Sequence, residues 1–278
     1  MDKYFLIFDT ETSGLPKKIN KNLDYSDILL YQISYIKCDY LLKPIKKINI
    51  YIDIENYNKF IYVDTNKIQE KDLKNGIKIK KFLKFFHNIL KNVKLIIGHN
   101  IDYDISILMV ECKRNNELEL MNLLLEIPKF DTMRMFGYNG LCLCKRIFVT
   151  QENAYNILFN NKENNNQDKN NNQNHYISLH DAYDDTKHCT EIFFELFKYW
   201  NNVKLTYGRF KGLEYNKTSL EYKKWFYKKK DEEILKTIKN NCYKQNNFTD
   251  YLNWVIYYFN ENPEKLNEKI IQNNNTED

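Results

Sequence analysis

Residues 4–15 read YFLIFDTETSGL, and the remainder of the chain is organised around them. The unbroken apolar run at 4–8 is the pattern of a strand covered on both faces, and it ends in two carboxylates, Asp9 and Glu11. Residues two apart on an extended chain share a face, so both carboxylates project into one small volume. Like charges held that close raise each other's proton affinity, and burial adds to the effect unless a positive charge sits between them. Hard oxygen donors of this kind suit magnesium or manganese, and Gly14 lets the chain turn sharply just beyond. Taken alone, the pair fits a solvated strand end equally well, so the rest of the chain has to decide.

Working outward, 16–27 is polar and reads as a loop over the mouth of the site. Strands are expected at 28–37 and 48–54, giving a three-stranded meander with the first. The period then changes: Ile79, Phe82, Leu83, Phe86, Ile89, Leu90 and Val93 recur at three and four, which predicts an amphipathic helix over 77–93. A short buried strand at 95–97 ends at Gly98. HNIDYD at 99–104 follows and leads into a helix over 105–113 that Asp104 would open, where a carboxylate also serves as a cap. KFDTM at 129–133 reads as a strand before a helix, with Asp131 and Thr132 as turn or cap residues. Further on, Ala182, Asp185, Cys189, Ile192 and Leu196 share one helical face. An aspartate on an apolar face has to be paired or metal-bound.

FDTETSGL, HNIDYD and HDAYDD, in this order, resemble the three motifs of the DEDDh family of 3′-5′ exonucleases, which includes polymerase III epsilon-like and exonuclease X-like proteins. The resemblance selects Asn100, Tyr103 and Asp104 in the second motif over the rival Asp102. In the third it selects His180 and Asp185, with four residues between, over Asp181 and Asp184. It implies a ribonuclease H-like α/β fold, a mixed five-stranded sheet flanked by helices, over 1–200. The low-complexity stretch NNKENNNQDKNNNQN at 160–174 would be a disordered insertion within that domain.

By the same resemblance, Asp9, Glu11, Asp104 and Asp185 would hold two Mg2+ ions, with Mn2+ a substitute, and His180 would take the proton from the attacking water. Thr12, Leu15, His99, Asn100 and Tyr103 would contact the substrate, with Leu15 and Tyr103 wedging or stacking on terminal bases. The implied activity is hydrolysis of the 3′-terminal phosphodiester of DNA, releasing nucleoside 5′-monophosphates. A 3′-5′ exoribonuclease and a catalytically silent nucleic-acid-binding scaffold are the alternatives. The implied partner is a single-stranded or frayed 3′ end, with DNA favoured over RNA, and DNA repair or proofreading beside a polymerase is the setting such an enzyme would serve.

Residues 201–278 change character. YGRFKG at 207–212, followed by Tyr222 and Trp225 in a basic helix, is similar over 204–242 to the small C-terminal module of exonuclease X-like proteins. Arg209, Lys211, Lys223, Lys224 and the lysines at 228–230, interleaved with aromatics, suggest a nucleic-acid backbone as ligand; a solvated helix face with an aromatic inner side is the competing reading. One more helix is expected at 248–260 and a disordered tail from Gln272.

The composition constrains the rest. With 278 residues the chain can bury a full α/β core plus an α-rich appendage. A formal net charge of +5 permits a polyanionic partner without requiring one. Six cysteines without a C-x-x-C pair point to reduced thiols and exclude a zinc site on spacing. No apolar run approaches the roughly 20 residues of a membrane helix, and the start is not a signal sequence. The expectation is a soluble intracellular protein, cytoplasmic or nuclear, with no membrane partner.

Overall fold

The computed structural model describes residues 3–19, 22–54, 68–137, 141, 143, 148–159, 181–240 and 247–268. The Asn-rich insertion, His180 and the tail from Gln272 lie outside the described residues.

β1 (Tyr4–Thr12) is central because its apolar residues alternate between two cores. Leu6 and Phe8 enter one hydrophobic cluster, and Phe5 and Ile7 enter the other. A short hairpin follows, β2 (Lys17–Ile19) against β3 (Asn22–Asp24), where the sequence suggested only loop. β4 (Leu30–Cys38) then pairs antiparallel with β1, and β5 (Pro44–Asp53) antiparallel with β4, completing the expected meander. β5 starts earlier than expected and is largely exposed until Ile52.

α1 (Glu70–Lys74) leads to β6 (Ile77–Lys78), a two-residue strand parallel to β5, so the helix expected from residue 77 begins only at α2 (Ile79–Leu90). Phe82, Leu83, Phe86, Ile89 and Leu90 are its buried face, as the spacing predicted. β7 (Val93–Gly98) returns parallel to β1. At Gly98 a Cβ would stand 2.6 Å from the end of the Ile101 side chain, so glycine gives the tight entry into α3 (Ile101–Arg114) without displacing it. α4 (Leu118–Glu126), β8 (Lys129–Asp131) and α5 (Thr132–Phe136) follow, with β8 parallel to β7.

The sheet order is β6-β5-β4-β1-β7-β8. Its five longer strands, with the second antiparallel to the others, form the ribonuclease H-like arrangement; the sixth is the two-residue edge strand that sequence patterning could not resolve.

α6 (Gln151–Phe159) and α7 (Ala182–Phe197) cover the Phe5/Ile7 face. Ala182, Cys189, Ile192 and Leu196 are buried there, which bears out the predicted stripe. α8 (Leu220–Lys228), α9 (Lys230–Asn240), α10 (Asn247–Glu261) and α11 (Glu264–Asn267) are the last helices among the described residues.

The segment after residue 200 continues the same hydrophobic cluster. Phe130 of β8 meets Trp200 edge-on at 5.1 Å, Trp200 meets Tyr257 at 5.3 Å, and Asn253 Oδ1 accepts from the Lys129 amide at 3.2 Å. Each aromatic so buried stabilises the fold by roughly 1.5–3 kcal/mol. Cys38, Cys112 and Cys189 are buried free thiols. No helix among the described residues is long and apolar enough to cross a membrane.

Candidate metal centre

The period of the strand separates the residues of DTET by function. Asp9 and Glu11 fall on the α7 face of β1, opposite Ser34 and Gln32 of β4. Thr10 and Thr12 fall on the other face. On α7, Asp181 accepts from the Tyr183 amide at 2.8 Å and so caps the helix start. Asp185 then comes one turn later on the inward face, above β1. One oxygen each from Asp9, Glu11 and Asp185 lie within 4.8 Å of one another. The neighbouring Asp181 is the cap, and the inward carboxylate is the one that the motif spacing selected.

Asp104 arrives from the opposite side. α3 starts at Ile101, with Asn100 in a left-handed conformation (φ 69°) as its N-cap, so Asp104 lies inside the first turn and does not open the helix as expected. It is almost fully buried, and its Oδ1 accepts from the Thr10 hydroxyl at 2.6 Å. Thr10, between the two acids in sequence, was not singled out as a functional residue; alternation along β1 alone would have placed it on the α3 side.

The electrostatics follow from this crowding. The Asp9 carboxyl is pushed well above the usual range, by burial first and then by the charges of Asp104, Asp185 and Glu11. Glu11 is pushed up to about 8, by burial and then by Asp185 and Asp104. Asp104 is raised to about 7 by burial, against the opposing effect of the Thr10 hydrogen bond. Burial and mutual repulsion therefore push all three carboxyls toward their protonated forms. A divalent cation satisfies the same oxygens without protons, and an all-oxygen donor set of this size fits a hard ion.

Of the residues expected at the substrate, Leu15 stands at the lip with 82% of its surface exposed. Tyr103 packs its ring partly against the core and near Tyr25, while its hydroxyl bonds the Thr12 hydroxyl and donates to the Gly14 carbonyl at 2.8 Å. Tyr103 and Thr12 thus fasten the turn that presents Leu15. Asn100 is exposed at the N-terminus of α3, and its amide donates to Asp131 Oδ1 at 3.1 Å.

His99, expected at the substrate, is partly buried and hydrogen-bonded within the protein. Nε2 bonds the Val149 carbonyl at 2.8 Å and Nδ1 the Thr132 hydroxyl at 2.9 Å, and burial lowers its pKa to about 4, so the ring stays neutral. Asp131 is the expected cap, accepting from the Met133 and Arg134 amides. It also ties β8 to the turn before α3.

No protein-family model matches the chain, and no curated protein matches it. Among solved structures, one of exonuclease I is 16% identical, over 72% of this chain and 44% of that one, with a TM-score of 0.47. Exonuclease I of E. coli in complex with a dA16 oligonucleotide is 15% identical over the same shares, with a TM-score of 0.46. A 3′-exonuclease in 3′-end-specific recognition of a histone mRNA stem-loop is 12% identical over 71% of this chain and 82% of that one, with a TM-score of 0.47. The chain spans less than half the length of these exonuclease I chains, and at such identities the likeness is one of fold.

Proposed function

We propose that the chain is a divalent-cation-dependent 3′-5′ exonuclease of the DEDDh kind, acting on DNA and releasing nucleoside 5′-monophosphates. The observation that carries this reading is the convergence of Asp9, Glu11 and Asp185 within 4.8 Å, with Asp104 attached to the intervening Thr10. Two Mg2+ ions, or Mn2+ in their place, would supply Lewis-acid charge to the scissile phosphate. Asp9, Glu11 and Asp185 hold the first of them in this reading, and Asp104 supports the second. His180, five residues before Asp185 in sequence, accepts the proton of the attacking water. Leu15 and the exposed part of Tyr103 meet the terminal bases, and Asn100 hydrogen-bonds beside the scissile nucleotide. Contacts of this type tolerate any base.

The strand behind the terminal nucleotide would run to the C-terminal region. There a cleft of about 560 Å³ is lined by Arg209, Glu221, Tyr222 and Trp225. Arg209 lies 4.7 Å from the Phe210 ring centroid and 5.7 Å from that of Tyr222, and Trp225 is half exposed. An aromatic face beside a guanidinium suits an unpaired base and its phosphate. Lys223, counted from sequence among the candidate phosphate contacts, is withdrawn from that surface: it is buried and donates to the Asn216 and Thr218 carbonyls.

The test is release of mononucleotides from 3′-labelled single-stranded DNA and RNA of one sequence, with Mg2+, with chelator, and with Asp9→Ala. Metal-dependent loss from the 3′ end, faster on DNA and abolished in the variant, is the expected result. Faster digestion of RNA would make the chain an exoribonuclease. Binding of both without digestion would make it a scaffold.

A further inference from the structure

The cleft on α8 holds two opposite charges, Arg209 and Glu221, beside the rings of Tyr222 and Trp225. Glu221 and Trp225 are four residues apart on α8, so the carboxylate and the indole are neighbours on one face of the helix. The Tyr222 and Trp225 rings are parallel to within 9°, with centroids 6.1 Å apart, and Trp225 is half exposed. Although Arg209 and Glu221 line the same cleft, neither side chain has an ion pair or a hydrogen bond among the described residues.

Arg209, Tyr222 and Trp225 fit a single strand of any sequence, with a guanidinium for phosphate and flat aromatic faces for a base. Glu221 does not. A carboxylate on the path of a polyanion repels phosphate, so it weakens binding unless it meets hydrogen-bond donors. The first turn of α8 favours an acidic residue through the helix dipole, but an acid facing away from the cleft would serve that purpose equally. The deoxyribose and phosphate groups within a DNA strand offer acceptors only, so the donors have to come from the base. An ionised carboxylate is itself only an acceptor, with two oxygens side by side. On the Watson–Crick edge of an unpaired base, guanine presents two adjacent donors, N1–H and the N2 amino group, which match that pair. Cytosine and adenine present one amino group beside a ring-nitrogen acceptor, and thymine one N–H between two carbonyls. Each of these three sets an acceptor against Glu221, which is the repulsive element that selectivity requires.

We infer that the cleft is a guanine-selective subsite for the single strand: the base lies on Trp225, Glu221 accepts from its N1–H and N2–H groups, and Arg209 holds an adjoining phosphate. The inference rests on the reading of this cleft as part of the nucleic-acid path.

Fluorescence anisotropy of the full chain with labelled oligothymidine, in chelator to prevent digestion, tests it. One thymidine is replaced at successive positions by deoxyguanosine, deoxyinosine, deoxyadenosine or deoxycytidine. The parent should bind the best-placed deoxyguanosine strand about 10-fold more tightly than oligothymidine. The deoxyinosine strand, which lacks the N2 amino group, should gain less, and the deoxyadenosine and deoxycytidine strands least. Glu221→Gln, at an exposed position, should lose the guanine preference while binding oligothymidine at least as tightly as the parent. Trp225→Ala should weaken every strand. Equal binding of all strands by the parent, deoxyinosine binding as tightly as deoxyguanosine, or a guanine preference that survives Glu221→Gln would each overturn the inference and leave the cleft a base-tolerant subsite. Binding of no strand by the parent, or binding unchanged in Trp225→Ala, would instead remove the nucleic-acid reading of the cleft, and this inference with it.

Discussion

Glu11 at the end of β1 and Lys223 in α8 are both ionisable side chains drawn into the protein, and burial pushes each toward its neutral form. Glu11 rises to about 8 and Lys223 falls to about 8. What surrounds them differs in sign. The Lys223 ammonium donates to two carbonyls and lies 5.2 Å from the Tyr258 ring and 5.6 Å from Trp254, all of which favour the charged form. Glu11 is partly buried beside Asp185 and within the field of Asp104, which favour anything but its charged form. The C-terminal charge is met by the fold. The cluster on β1 is a set of acceptors that only protons or a cation can complete, and such an arrangement costs stability unless it serves chemistry.

The contrast can be broken or sharpened by substitution at either end. The largest effect is expected at Asp9, which has the greatest charge crowding: Asp9→Ala should lower the rate of nucleotide release on the order of 10³-fold or more while raising the melting temperature of the metal-free protein. A loss of both activity and stability would mean that Asp9 is structural, like Lys223.

Next is the pH dependence. Folding raises the Glu11 pKa from 4.5 to about 8, so across that window the folded protein binds more protons than the unfolded chain. Its contribution is fully present below pH 4.5 and is lost as pH rises through about 8. Melting of the metal-free protein from pH 5 to 8, compared with Glu11→Gln, should show a steeper fall in the parent by up to ~1.4 kcal/mol per pH unit. Parallel curves would contradict the crowding.

At the other end, Lys223→Met strands two carbonyls and should cost about 1–3 kcal/mol of stability without changing the rate at saturating substrate, as melting and steady-state kinetics would show. Trp225→Ala should do the reverse. It should leave the melting temperature alone and weaken single-stranded oligonucleotide binding by about 1–3 kcal/mol, measured by fluorescence anisotropy. The smallest effect belongs to Leu15→Ala, whose exposure predicts a stability change within about 0.5 kcal/mol and a rise in KM alone.

The same contrast accounts for what was legible in the sequence. Strand and helix periods are local, so the buried strand at 4–8 and the inward face of α7 could be read from spacing, while the choice among the carboxylates came from the resemblance of the motifs. What a polar residue touches across the fold is not local. Nothing in HNIDYD says that His99 will be enclosed by Val149 and Thr132 while Asn100 remains outside. The run of lysines in α8 looks uniform, yet Lys223 points inward and Trp225 outward, a difference decided by α10 packing beside it. The start of α3 was placed four residues late because an apolar Ile101 hid the cap at Asn100. The hairpin at 17–24 was missed because its strands are only three residues each.

The central claim is that the carboxylates at the end of β1 hold protons that a cation replaces. Titration calorimetry with Mn2+ at pH 7 in two buffers of different ionisation enthalpy measures the protons released on binding. The account predicts net release in the parent protein and a smaller release in Glu11→Gln. Binding with no proton release would contradict it, because the carboxylates would then have been free and charged before any cation arrived.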